Sequence, residues 1–449
     1  MRGGIDRAAA QVEATRQQEK IPVVLVDAGD ALFTRAQLEP EEVGQEEGKA
    51  RALAAALKQM GVVAKGVGPL DQVRGEPFLT SLGLPLVRPG SAVDIPVGPE
   101  RVGVVAGNRL LELSDGAAKS RARGATFVVG LWNGPPAEAE RLVQNPGTGL
   151  DLLVVAHAAS DTEGEDNLLV RAAVPLVRVQ SKGRSLLRVD VALAPNGGPL
   201  TLLKTREDVE REVKGLDQRV ALLTRELRQP GTSEEKRRLL EAKAGEVMDR
   251  RARLSSTPPA PAVAGKSTLA VRFIPLEATL PGDPRVQALL RGYDSEVSEG
   301  NLAWARAHGK DCPAPHRGEP GYVGNATCQT CHEEAFPVYA TTRHAHAYQT
   351  LVKAAKQYRV DCIACHVTGY QQAGGVCRVD RVTGREGVGC ENCHGPGSLH
   401  SVDPTRANIR AAPGKNICVG CHNPENSPAF DFAVYLPKIL GKGHAHKQP

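Results

Sequence analysis

Cys390-Glu-Asn-Cys393-His394-Gly-Pro-Gly-Ser398-Leu-His400 decides how the C-terminal third of this 449-residue chain is read. Two cysteines three positions apart are followed at once by a histidine. The same arrangement recurs as Cys328-Gln-Thr-Cys331-His332, Cys362-Ile-Ala-Cys365-His366 and Cys418-Val-Gly-Cys421-His422. At this chain's cysteine and histidine frequencies about 0.006 such pentapeptides would arise by chance, so four are no accident. They take eight of the ten cysteines, and no cysteine precedes Cys312.

A disulfide framework does not require a histidine after each pair. Structural zinc also uses Cys-x-x-Cys pairs, but two sites of four cysteines each would leave all four histidines without a role. Covalent haem explains every position. Two thiols form thioethers with the two vinyl groups, a two-residue gap puts both on one turn, and the following imidazole reaches the iron. Four c-type haems are therefore expected, held by Cys328, Cys331, Cys362, Cys365, Cys390, Cys393, Cys418 and Cys421. His332, His366, His394 and His422 are the expected proximal ligands. A second imidazole on each iron would come from the remaining histidines, with His344, His400 and His444 favoured over His316, His346 and His446.

The surroundings agree. From Lys310 onward long periodic apolar runs nearly vanish, and six of the seven tyrosines lie there. Such a segment has little aliphatic material for an ordinary core, and bound macrocycles would supply one. It carries 15 Lys/Arg against 11 Asp/Glu. About eight propionates on four haems would make the oxidised domain roughly neutral and the reduced one negative. Weak steering toward a basic patch on a redox partner follows.

Upstream, hydrophobic content of 41% and charged content of 24% fit a globular protein. No run of 18 apolar residues suggests a membrane span. A net charge of +5, without long basic blocks, gives no support to nucleic-acid binding. Apolar runs at 21–26, 101–106, 126–131, 152–156, 174–179 and 186–193 alternate with helical periodicity at 48–60 and 137–143. An α/β layered unit is predicted over 1–203. Val209, Val213, Leu216, Val220, Leu223 and Leu227 step by four and three, a heptad seam. With Thr232 and Glu235 reading as a capping box, an antiparallel helical hairpin of coiled-coil character is predicted over 204–256. A Pro/Ala linker, a strand near 269–275 and a helix near 283–307 fill 257–309, and the haem-bearing part, mainly helical and irregular, spans 310–449.

Residues 322–444 resemble the tetrahaem cytochromes related to the electron acceptor of hydroxylamine oxidoreductase. The match is carried by Tyr322-Val-Gly, His344-Ala-x-Ala, Cys365-His366-Val-Thr-Gly-Tyr370, the stretch from Cys390 to Ser398, and Gly-x-Gly-His444. That resemblance implies three bis-histidine haems, with His344, His400 and His444 as distal ligands, and one open haem able to take a small ligand such as nitric oxide. Residues 1–200 resemble the calcineurin-like metallophosphoesterases of 5'-nucleotidase type, through Val26-Asp-Ala-Gly-Asp30, Gly66-Val-Gly-Pro-Leu-Asp71 and Leu152-Leu-Val-Val-Ala-His157. Most metal ligands of that family are replaced: Leu70 stands near an Asn position, Asn133 stands near a His position, and Ala159 replaces a second His. Asp30 and His157 alone are too few for a dinuclear site, so an inactive scaffold is expected.

Two smaller signals complete the reading. Gly265-Lys266-Ser267-Thr268 mimics the end of a phosphate loop, but Ala260 stands where its first Gly is required. Cys312 and Cys377 are compatible with a disulfide or with two inert thiols. The expected function is electron transfer outside the cytoplasm with redox protein partners. The alternatives are a haem enzyme acting on a small nitrogen species and an active phosphoesterase. Haem attachment takes place across the cytoplasmic membrane, yet the first residues show no signal peptide, so the start of the sequence is expected to be truncated or miscalled.

Overall fold

The computed structural model describes residues 4–156, 167–179, 183–195, 198–228, 233–256, 265–423, 426–427, 429–441 and 443. Within them, strand and helix alternate from the start: α1 (Ile5–Gln18), β1 (Leu25–Asp27), α2 (Pro40–Gln59), β2 (Val62–Gly66), α3 (Gly75–Ser81) and β3 (Leu86–Val87). The three strands pair in parallel, in sequence order. Next come β4 (Ala92–Val97), β5 (Glu100–Gly107), α4 (Leu110–Ala122), β6 (Phe127–Trp132), α5 (Pro136–Leu142), β7 (Leu152–Val155), β8 (Leu168–Val170) and β9 (Leu176–Arg178). These strands form a sheet ordered β4-β5-β6-β7-β9-β8, parallel inside, with an antiparallel strand on each edge. Strands β10 (Ser185–Ala192), β11 (Thr201–Leu202) and β12 (Thr268–Pro275) make a third sheet with β12 in the middle.

The six-stranded sheet is buried on both faces, and strand periodicity sorts its side chains. Val105, Val128, Trp132, Leu153 and Val155 point to one layer, where Leu113 and Ala117 of α4 and Ala139 and Leu142 of α5 cover them. Their neighbours Val104, Ala106, Phe127, Leu131, Leu152 and Val154 point to the other, against Leu269 and Val271 of β12 and Ala64 of β2. The N-terminal unit is thus a layered α/β sandwich. Elements that the sequence concealed have physical explanations. The α4 segment opens on Leu110 and Leu111, which are exposed, so its apolar positions do not trace the buried face. Strand β4 carries Pro96, which fits only at a sheet edge.

Helices α6 (Arg206–Leu227) and α7 (Glu234–Ser256) fold back on each other. Leu216 and Leu240 are their buried apolar residues, and Arg250–Glu212 at 2.9 Å and Arg251–Asp217 tie them together. The start of α6 is fixed by Thr205 and Asp208, each side chain accepting from the other's backbone N–H. The cap on α7 is Ser233, whose hydroxyl accepts from Lys236 N at 3.3 Å; Thr232 and the 257–264 linker fall outside the described residues. Gly265–Thr268 runs into β12 rather than a helix, and the Ser267 hydroxyl accepts from Ala194 N.

Helix α8 (Pro284–His308) packs on α1 and α2 and leads into the C-terminal part. There Cys312 and Cys377 are joined by a disulfide with Cα atoms 5.0 Å apart. The aliphatic core of this part is small: Val360, Ile363, Val367, Val376 and Val379 gather against Ala305 of α8. No helix among the described residues is long and apolar enough to cross a membrane.

Candidate haem-attachment sites

Each motif starts on a short helix and is completed within it or in the turn that follows: α9 (Asn325–Gln329), α12 (Val360–Ile363), α13 (Cys390–His394) and α15 (Lys415–Cys418). The other helices here are α10 (Ala335–Ala340), α11 (Ala347–Lys353), α14 (Ser398–Val402) and α16 (Phe432–Tyr435). His332 N bonds Cys328 O at 3.0 Å, and His422 N bonds Cys418 O at 2.8 Å. In such a turn positions i, i+3 and i+4 share a face. Both thiols and the imidazole of a motif therefore look the same way, as a macrocycle clamped at its edge and at its metal requires. All eight thiols are free.

The motifs lie near one another. Interaction with the neighbouring thiol, and then burial, pushes Cys328 (beside Cys390) and Cys421 (beside Cys365) up, while the same interaction lowers Cys390 and Cys365. Glu391, 2% exposed, lies between the two cysteines of the third motif. Its carboxylate accepts from Val323 N, Gly324 N and Gly397 N at 2.7–2.9 Å. It thereby fixes the approach to the first motif and the turn before His400. Asn325 adds a second tie, accepting from Cys390 N at 3.0 Å.

The histidines carry a tautomer signature. Nδ1 of His366 faces Ala347 O at 2.7 Å, that of His394 faces Arg410 O at 2.8 Å, and that of His400 faces Thr405 O at 3.0 Å. A carbonyl oxygen only accepts, so Nδ1 bears the proton and Nε2 keeps a lone pair for a metal. His422 Nδ1 lies 3.1 Å from Ser427 Oγ, and its ring stacks on Phe430 with centroids 4.6 Å apart.

Imidazoles from different segments come together in two places. His332 and His400 have ring centroids 6.2 Å apart with planes 16° from parallel. His344 and His422 lie 5.9 Å apart at 48°. Two imidazoles bonded at about 2.0–2.1 Å on opposite sides of one metal ion stand roughly 6.3 Å apart between centroids. Both pairs match that centroid separation. Burial, then proximity to His422, lowers the His344 pKa, which keeps the neutral, metal-binding form. His444 and His446 lie outside the described residues.

The N-terminal candidates tell a different story. Asp30, with a left-handed φ of 53°, accepts from Leu70 N at 2.8 Å. Asp71 is fully buried and accepts from the backbone N–H groups of Asp30, Ala31, Leu32 and Gly68. Lys65, also fully buried, places its ammonium 2.8 Å from Asp27 and 3.1 Å from Asp71. Burial pulls the Lys65 pKa down, and the two carboxylates more than offset it, so it stands above that of an ordinary lysine. Gly68 is required here: a Cβ would meet Asp30 Oδ1 at 2.1 Å and Asn133 Oδ1 at 2.8 Å. His157 and Ala159 lie outside the described residues. Among the described residues no group of three or more His, Cys, Asp or Glu converges to hold a metal ion. The donors described here are a poor fit to a dinuclear centre: Leu70 and Asn133 stand near ligand positions, and the neighbouring carboxylates Asp27 and Asp71 are already neutralised by Lys65.

Sequence reasoning missed Glu391, Asn325 and Lys65. Glu391 was visible only as the variable residue of a motif, and two of its three backbone partners are 67 and 68 positions away.

Repeated Cys-x-x-Cys-His turns with free thiols and paired imidazoles define a c-type cytochrome. The family described as "Cytochrome c554 and c-prime" matches residues 327–395. Cytochrome c-554 of Nitrosomonas europaea is 34% identical over 159 residues, covering 27% of this chain and 68% of that protein. The chain belongs to the cytochrome c554 family, and its cofactor is haem c, the basis of electron transfer in such proteins.

Solved structures with a related layout include the sulfate thiohydrolase SoxB of Thermus thermophilus (15% identity, 70% of this chain and 49% of that one, TM-score 0.41). A 5'-nucleotidase precursor, also from Thermus thermophilus, gives 13%, 70%, 56% and 0.40. The NAD nucleotidase of Haemophilus influenzae gives 13%, 72%, 58% and 0.40. The chain spans 49% to 58% of the length of these three. They say nothing about its activity.

Proposed function

We propose that the chain conducts electrons outside the cytoplasm through four covalently attached haems, exchanging them with redox protein partners. The observation that carries this is the 6.2 Å, nearly parallel placement of His332 and His400, drawn from segments 68 residues apart. In this reading each thiol adds across a haem vinyl group with nothing lost, and His332, His366, His394 and His422 are the proximal ligands. His400 is the distal ligand of the first motif and His344 that of the fourth. His444 remains the candidate for the second or third motif, so one of those two is the open site where a small ligand could bind.

When bound, haem c supplies a one-electron ferric/ferrous couple. The chain's own residues do the rest. Carbonyls of Ala347, Arg410 and Thr405 orient imidazoles, and Glu391 and Asn325 hold the first and third motifs in fixed relation, which keeps those two attachment points close enough for electrons to pass between them. The N-terminal unit acts as a phosphoesterase-like scaffold without hydrolytic chemistry, supported by the Lys65 ammonium lodged between Asp27 and Asp71.

The test is intact mass and a pyridine haemochrome spectrum of the protein matured in an exporting host. Four haems per chain are expected. Bare polypeptide mass without Soret absorbance would refute the proposal.

A further inference from the structure

A buried polar network crosses from the α/β unit to the second attachment motif. Gln45 of α2 is 1% exposed although polar. Its Oε1 accepts from Asn301 Nδ2 of α8 at 2.9 Å and from Val360 N at 3.2 Å. Asn301 also donates to Tyr358 O at 2.8 Å. Arg359 follows, 9% exposed. Its Nη1 donates to Asp294 of α8 at 2.7 Å, and Nη2 and Nε donate to Asp361 at 2.7 and 3.0 Å. The guanidinium also lies over the Tyr293 ring, 5.2 Å from its centroid. Arg359 O accepts from Cys362 N and Ile363 N, a backbone link that persists when the Cys362 sulfur, 3.6 Å from Asp361 Oδ1, becomes a thioether.

Two consequences follow. The turn carrying Cys362 is bolted to α2 and α8, so the α/β unit fixes where the second haem is attached. A buried cation flanked by two partly exposed carboxylates also sits beside that attachment turn, and the burial of Arg359 leaves its charge less screened than theirs. Lys356, half-exposed, reaches the outer side of Asp294 at 3.4 Å. We propose that Arg359 is a positioning residue that locks the second haem to the N-terminal unit and raises its reduction potential. This rests on the reading that Cys362 and Cys365 carry haem. A positive charge favours the ferrous over the ferric iron, so removing it lowers the potential; removing the Asp294 charge raises it.

The experiment compares full-length, matured wild type with R359Q, R359K and D294N. Haem content by intact mass comes first, then a spectroelectrochemical titration. R359Q is expected to lower one haem's reduction equilibrium about tenfold, about 59 mV for one electron. R359K should restore most of it, and D294N should move the same component upward. A purely structural role would shift R359Q and D294N in the same direction. Same-sign shifts or unmoved potentials in both overturn the proposal. Should R359Q fail to fold, D294N, which keeps the Arg359–Asp361 pair, decides alone: no rise overturns it. A wild-type chain lacking haem at Cys362 overturns the underlying reading as well, whereas full haem content with unmoved potentials overturns this inference only.

Discussion

His400→Ala isolates one axial bond. The His400 ring stands 6.2 Å from that of His332, with Nε2 left free by the Nδ1 contact to Thr405. It projects from α14, a five-residue helix whose Val402 is 87% exposed. Truncation therefore forfeits one hydrogen bond and little packing, about 1 kcal/mol of stability. The metal loses its sixth ligand, so one haem per chain should change from low spin to high spin. Resonance Raman and electron paramagnetic resonance of the ferric protein read the spin state. Carbon monoxide titration of the ferrous protein reads the vacancy and should gain one equivalent per chain. His344→Ala should add another, through the partner 5.9 Å from His422, and the double variant two. An unchanged spectrum and unchanged carbon monoxide stoichiometry in His400→Ala would refute the ligand assignment, whatever the total haem content.

Further outcomes are expected elsewhere. Lys65→Met strands the fully buried Asp71 carboxylate, and the partly exposed Asp27 beside it, and should cost about 3 kcal/mol in urea unfolding at neutral pH. Because the folded Lys65 pKa is raised, its contribution is complete below the unfolded value of about 10.4 and fades only as pH climbs past the folded one; a loss between pH 6 and 8 would contradict this. Cys312→Ser opens a link between residues 65 apart, and thermal unfolding should show a loss of about 2–4 kcal/mol. Phosphoester hydrolysis with added divalent cations should be undetectable in both wild type and Asp30→Ala; a metal-dependent rate abolished by Asp30→Ala would restore an active phosphoesterase.

Legibility followed how local each interaction is. The turns that carry the Cys-x-x-Cys-His motifs were readable because every partner in them lies within five residues. The layered α/β unit was readable from short continuous apolar runs, as in Leu152–Val155, where all four residues are buried because both faces of the sheet are covered. Helix α4 and strand β4 were not, because exposed leucines and an edge proline blur the pattern. The disulfide was one of two open readings, and the 5.0 Å Cα separation that favours it is created by folding.

Sequence alone determined the motif pattern: eight thiols and four imidazoles in a spacing that one helical turn converts into a shared face. Only the tertiary structure decided which distant imidazole meets which motif, that Glu391 joins the first and third motifs, and that Arg359 ties the second to the α/β unit. Those contacts span tens to hundreds of positions, and a side chain's partner across such a distance is set by how helices and sheets pack, which no local pattern records.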